Sequence, residues 1–220
     1  MSQIITPTQI AEIGGLYCHH YLADGKKIKR LVRGQALIRH NGLTGNDDDS
    51  ETYADPDKAL LHYAFDHYAH WRQRLPDARA LLEKGGAFSE NISTLGINER
   101  TLCIGDILSV GSAVIQVTQG REACNTMNQR FSRPTMNREM HDDHRNGWFY
   151  RVLEEGHMSA GDAVILRERS NPDWTIARVQ QSLFNGESNV EILQRLSSLP
   201  YLAADWKALF TQRLEERMAD

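Results

Sequence analysis

Residues 116–131, QVTQGREACNTMNQRF, decide how the rest of the 220-residue chain is read. An apolar run at 113–117 precedes them and has the character of a strand; at Gly120 the pattern breaks into a segment too polar to be core. That is a strand end used to present something. Cys124 sits in the middle, with Arg121 three residues before it and Asn128 four after. A free cysteine is either a small buried hydrophobe or a thiolate meant to be reached. Burial here would oblige Arg, Glu, Asn, Thr and Gln neighbours to find partners together. Arg121 and Arg130 could instead hold the sulfur ionised and bind an anion beside it. From the residues alone both readings stand.

Working outward, a formal charge of -4 and 40% hydrophobic residues fit one medium domain, or a domain with a small appendage. Such mild acidity gives no general attraction for nucleic acid or for anionic membranes, so any anion site must be local. No apolar run reaches the length of a membrane span, and the N-terminus has no basic region followed by an apolar block, which predicts a cytoplasmic location. Cys18, Cys103 and Cys124 cannot all pair, so reduced thiols are expected.

Before the cysteine segment the chain reads as short strands punctuated by turns. Ile10, Ile13, Leu16 and Tyr17 surround Gly14 and Gly15 without deciding between strand and helix. Cys18, His19 and His20 have metal-ligand chemistry but no second ligand pair at zinc-site spacing. A basic cluster, Lys26, Lys27, Lys29, Arg30 and Arg33, reads as a solvated face unless the fold turns it toward Arg121. The acidic residues 45–55 read as a loop without the pattern of a calcium site. From 56 to 76, Leu60, Leu61, Ala64, Tyr68 and Trp71 recur at helical spacing and place His62, His67 and His70 on a helix. A second helical piece is expected at 78–84, stopped by Gly85 and Gly86. Strands are expected at 102–104, 107–110, 148–153 and 163–167, which together suggest a curled antiparallel sheet or barrel. After Asn171 and Pro172 three amphipathic helices follow, the second with Ser188 and Glu191 as a capping box; they would pack on the barrel or on a second copy.

With these residues in view, the chain resembles the MOSC domain family and, within it, the YiiM-like proteins. Five blocks carry the likeness in order: PDKALLHY at 56–63, AFSENIST at 87–94, IGD at 104–106, IQVTQGREACNTMNQRF at 115–131 and NGWFYRVLEEG at 146–156. The resemblance implies an α+β, mainly β fold: a MOSC-like β-barrel domain at 1–168 and a three-helix C-terminal appendage at 169–220. It implies binding of the molybdenum cofactor (molybdopterin), with Cys124 as catalytic residue and protein ligand to molybdenum, and also an association with pyridoxal phosphate. Lys29, Arg121 and Asn128 are expected at the cofactor's phosphate and pterin, with Asn91 and Thr94 in the same pocket, since a phosphate needs charge-assisted donors and a pterin edge needs directional hydrogen bonds.

The implied activity is an oxidoreductase that reduces small N-hydroxylated compounds such as hydroxylated base analogues. No flavin or iron–sulfur motif is present to supply electrons, so a separate electron-donor reductase is the expected partner, with a homodimer as a further expectation. The alternative is a non-catalytic sulfur-carrier or cofactor-binding module, or a degenerate one in which Tyr53-Ala54-Asp55, in place of His-Gly-Gly, fills the pocket. The chain departs from the family pattern at several places. Tyr53-Ala54-Asp55 stands where His-Gly-Gly is usual, Gly45-Asn46 where Gly-Asp is usual, and Ser89 replaces a glycine. Gly120 and Ala123 replace prolines flanking the arginine and the cysteine.

Overall fold

The first strand determines the architecture. A computed structural model describes residues 3–24, 27–44 and 55–219 of the chain. In chain order the elements are β1 (Gln3–Tyr21), β2 (Lys27–Leu31), β3 (Gln35–Arg39), β4 (Gly42–Leu43), β5 (Leu60–Ala64), α1 (Asp66–Arg74), β6 (Ile92–Thr94), β7 (Ile107–Val110), β8 (Ala113–Gly120), α2 (Asn125–Arg130), α3 (Met136–Asp142), β9 (Trp148–Glu154), β10 (Gly156–Ser159), β11 (Ala163–Arg169), α4 (Ile176–Phe184), α5 (Val190–Ser197) and α6 (Ala204–Ala219). The 19 residues of β1 serve three neighbours in turn: its first half pairs with β11, its middle with β6 and its end with β2.

The order β11-β7-β8-β9-β5-β6-β1, closed by the β1–β11 pairing, makes a seven-stranded barrel; β10, β3 and β4 form a small separate sheet. An odd number of strands cannot close with alternating directions, and among the described residues the one parallel pair is β5–β6. Both strands are short and buried along their whole length, as a parallel pair requires.

The core has two parts. The barrel interior, with Leu60, Ile104, Leu108, Ile115, Val117, Trp148 and Tyr150, runs without a break into the tail residues Ile176, Val179, Leu193, Leu196, Trp206 and Phe210. The three helices therefore pack on the barrel as a continuation of its core. A second cluster, Tyr63, Tyr68, Trp71, Phe88, Ala123, Met127, Phe131, Met136 and Met140, lies between α1, α2, α3 and the 85–91 loop. Two of the family blocks have structural duties here. Asp106 accepts from Cys103 N at 2.9 Å and pairs with Arg169 of β11 at 2.7 Å, while Asp57 pairs with Arg151 of β9 at 2.7 Å.

Several sequence expectations are corrected. The helix expected from 56 to 76 is a strand, β5, followed by a shorter helix, α1, so His62 stands on β5. Leu60, Leu61 and Ala64 fit a helical stripe, but a strand buried on both faces carries the same run. The helix expected at 78–84 is two single turns of 3-10 helix, Pro76–Ala78 and Leu81–Glu83. Residues 102–104 contribute only an isolated bridge, Cys103 to Thr175. The cap of α5 is Asn189, whose side chain accepts from Ile192 N, one residue beyond the expected Ser188.

Candidate functional site

Four residues without regular structure, 121–124, join β8 to α2 and carry the cysteine. Burial at Ala123, 4% exposed, anchors this linker in the second core, while Cys124 itself is exposed. Partial burial pushes the Cys124 thiol up, but the Thr126 hydroxyl and N–H, the Arg121 charge and the cysteine's own N–H outweigh it and hold the thiol below the ordinary cysteine range. The other two thiols differ: Cys18 is buried, and burial with the nearby Asp106 charge pushes Cys103 up to about 11. Of the two readings left open by the sequence, the structure takes the accessible thiol.

Beside the linker stands the 85–91 loop, organised by one carboxylate. Glu90, fully buried, accepts from Gly86 N at 2.6 Å, from Phe88 N at 3.0 Å and from the Tyr68 hydroxyl. With N–H groups turned in to Glu90, loop carbonyls are left for the two motif arginines. Arg130 donates to Gly86 O at 2.8 Å and to Ala87 O at 2.5 Å, and Arg121 donates to Phe88 O at 2.7 Å. Both guanidinium groups are thus fixed by the same loop, through its carbonyl oxygens.

Past Arg130 opens a cavity of about 880 Å³ whose wall includes Lys29, Thr94, Arg130, Gly14 and Gly86. At Gly86 a Cβ would lie 2.9 Å from the Lys29 Cβ, and φ is +90° there, so glycine is required both for the turn and for the close approach. Thr94 is held from behind by His62, Nε2 to Oγ1 at 2.8 Å, and His62 reaches Tyr150 through Nδ1 at 2.9 Å. Full burial drives His62 down to about 3, so the ring is neutral. A second cavity of about 950 Å³ shares Lys29 and adds Arg30, Arg33 and Cys18; Arg30 and Arg33 are exposed, so these two keep the solvated face expected of the cluster while Lys29 is half-buried.

The expected site residues divide. Lys29 and Thr94 meet at the first cavity, and Arg121 adjoins Cys124. Asn91 lines neither of these two cavities. It is 1% exposed, its Oδ1 accepts from Leu61 N at 3.0 Å and its Nδ2 donates to Tyr17 O at 3.4 Å, which ties β5 to β1. Asn128 is likewise taken up by backbone, its Oδ1 accepting from Asn137 N at 2.8 Å to join α2 to α3. Cys124 stands outside the wall of the first cavity; α2, with about 1.5 Å rise per residue, leads from it to Arg130.

Tyr53, Ala54 and the Gly45-Asn46 pair lie outside the described residues. Asp55 caps the following turn and pairs with Lys58 at 3.3 Å, so its charge is compensated locally. Ser89 adopts φ 65°, the conformation that a glycine would take without strain. Glu90, His62 and Gln180 escaped sequence reasoning, because their partners lie in distant elements or, for Glu90, in a loop whose path no local pattern gives.

Comparison with known proteins agrees with this fold. The MOSC domain pattern matches residues 47–165, and the YiiM-like three-helix domain matches residues 174–217. The chain belongs to the MOSC family, as a YiiM-like member. It is 30% identical over 194 residues to Protein YiiM of Escherichia coli, covering 87% of this chain and 86% of that protein. It is 30% identical over 173 residues to a protein of Gibberella moniliformis named Reductase, of which the match spans 31%. Among solved structures it is similar to one described as a hypothetical protein, with TM-score 0.83 and 29% identity over 94% of this chain and 91% of that one. YiiM from Escherichia coli aligns with TM-score 0.78 and 27% identity over 96% and 94% of the two chains.

The family is associated with molybdenum cofactor binding in general. Two features of the residues present fit such a group: an acidified, reachable thiol suits a soft metal, and the cations Lys29, Lys84 and Arg130 in the first cavity suit an anionic phosphate, in a wall that is otherwise largely apolar and includes Glu12.

Proposed function

We propose that this chain is an oxidoreductase that uses the molybdenum cofactor to reduce small N-hydroxylated compounds, with Cys124 as the thiolate toward the metal. When bound, the cofactor supplies the two-electron chemistry; in balance, an N–OH group takes two electrons and two protons and leaves as N–H and water. The chain's part is placement. Arg121 stabilises the Cys124 thiolate, Lys29 and Arg130 would hold the phosphate, and the 85–91 loop keeps both arginines oriented through its carbonyl oxygens. The neutral His62 holds the fully buried Thr94 hydroxyl behind the cavity wall without adding charge to it. Electrons would come from a separate reductase.

The observation that carries this reading is the exposed, acidified Cys124 thiol beside Arg121. Its test is metal analysis of protein made in a cofactor-competent host. Wild type should hold molybdenum and Cys124→Ser should not; equal content in the two would overturn the assignment. One observation favours a second reading, a sulfur carrier: Cys124 lies outside the wall of the first cavity, where a persulfide could be handed to a partner. Sulfane sulfur on Cys124 without molybdenum would decide for it.

A further inference from the structure

The 121–124 linker has no ladder of its own, so its backbone must find partners from elsewhere in the fold. Arg121 N donates to Gly147 O at 2.9 Å. Arg121 O accepts from Gln180 Nε2 of α4 at 3.2 Å, and the same Nε2 donates its other hydrogen to Gly147 O at 3.2 Å. Ala123 N donates to His141 Nε2 of α3 at 2.9 Å, and His141 stacks on Phe184 of α4 with ring centroids 4.3 Å apart. Two of the linker's backbone groups therefore depend on α4, one directly and one through His141.

Two further observations indicate that these contacts are more than filler. A Cβ at Gly120 would lie 2.4 Å from Gln180 Cγ, so the absence of a side chain there is what admits Gln180. Gln180 is fully buried, and among the described residues its Oε1 has no hydrogen-bond partner. An apolar residue of the same size would fill the gap without leaving that oxygen unsatisfied, so the side chain is there for its two N–H bonds. Proline at 120 or 123 would fix the chain by itself; here Gly120 and Ala123 leave the linker dependent on the helices, and the Ala123 N–H used by His141 is one that proline lacks.

We propose that the helical tail is part of the cysteine site, with Gln180 as a positioning residue, supported by the Phe184–His141 stack, that holds the linker where Cys124 is exposed and in reach of Thr126 and Arg121. The inference deepens the reading above, in that the tail acts on the same cysteine, but its readout is the thiol itself. The experiment follows alkylation of Cys124 by iodoacetamide against pH, read by mass spectrometry of the Cys124 peptide, in wild type, Gln180→Met and Phe184→Leu all made without the cofactor so that the thiol is free, with circular dichroism to select folded protein. Gln180→Met keeps the volume and removes both donors. It should move the midpoint of the alkylation profile up and slow the reaction at pH 7 by about three- to tenfold. Phe184→Leu should do the same to a smaller extent, and it serves where Gln180→Met does not fold.

A profile unchanged in a folded variant overturns the proposal. Molybdenum analysis of the wild type separates the two inferences. A shifted profile in protein that never takes up the metal leaves the tail's role intact and removes the cofactor reading. Metal-loaded wild type with an unshifted variant does the reverse.

Discussion

Two irregular stretches of backbone meet at the site, and they are held in opposite ways. The 85–91 loop is fixed from within by a single residue of its own, Glu90, whose carboxylate gathers Gly86 N, Phe88 N and the Tyr68 hydroxyl. The 121–124 linker is fixed from outside, by Gly147, Gln180 and His141. The first arrangement stands or falls with one side chain and makes a stiff wall against which Arg121 and Arg130 are set. The second spreads its dependence over three elements and lets the tail act on the cysteine.

The comparison breaks most readily at Glu90. Glu90→Ala leaves three buried donors without an acceptor and should destabilise the protein by about 3–5 kcal/mol, measured by urea denaturation. A loss under about 1 kcal/mol would mean that the loop is not held from within. Next comes the thiol contrast. In native protein at pH 7.5, iodoacetamide should label Cys124 at least about a hundred times faster than Cys103, because one is exposed and acidified and the other is buried with its thiol raised. Comparable rates, read by peptide mapping, would show that the linker does not present its sulfur.

Two histidines, His62 behind the wall and His141 behind the linker, sharpen the comparison through pH. Burial lowers both, and His62 reaches about 3. An unfolded histidine takes up its proton near 6.5 and the folded His62 only near 3, so between these values the unfolded state binds more protons. Stability is complete above 6.5 and should fall by up to about 1.4 kcal/mol per pH unit below it. Denaturation between pH 7.5 and 4.5 checks the slope, and His62→Gln should flatten it. The smallest effect is expected at Ser89, where φ is 65°: Ser89→Gly should raise stability by no more than about 1 kcal/mol, and a clear loss would show that the hydroxyl matters more than the conformation.

The sequence made the cysteine legible because its near neighbours Glu122, Asn125 and Thr126 are exposed with it, although Gln119 and Arg121 just before them are packed away with hydrogen-bond partners. Polarity misled at Asn91 and Asn128. An amide that faces a ligand and one that ties two strands or helices together look alike in one dimension. Strands β8, β9 and β11 were legible as apolar runs bounded by glycines, whereas β5 read as helix because it leads within two residues into α1 and its apolar residues run on into the spacing of that helix. Gln180 left no local sign at all, since its duty is set by backbone about 60 residues earlier, at Arg121.

The continuous course of β1 has one more consequence. One uninterrupted strand both seals the barrel against β11 and carries, at its far end, the β2 hairpin in which His19 faces Lys29. Side chains alternate along a strand, so a slip of that hairpin by a single residue would turn Lys29 to the opposite side and give its place to a neighbour. The position of the cation is therefore inherited from how the barrel seam is aligned, far from any ligand, and an insertion of one residue near Asp24 would be expected to disarm the cavity while leaving the barrel shut.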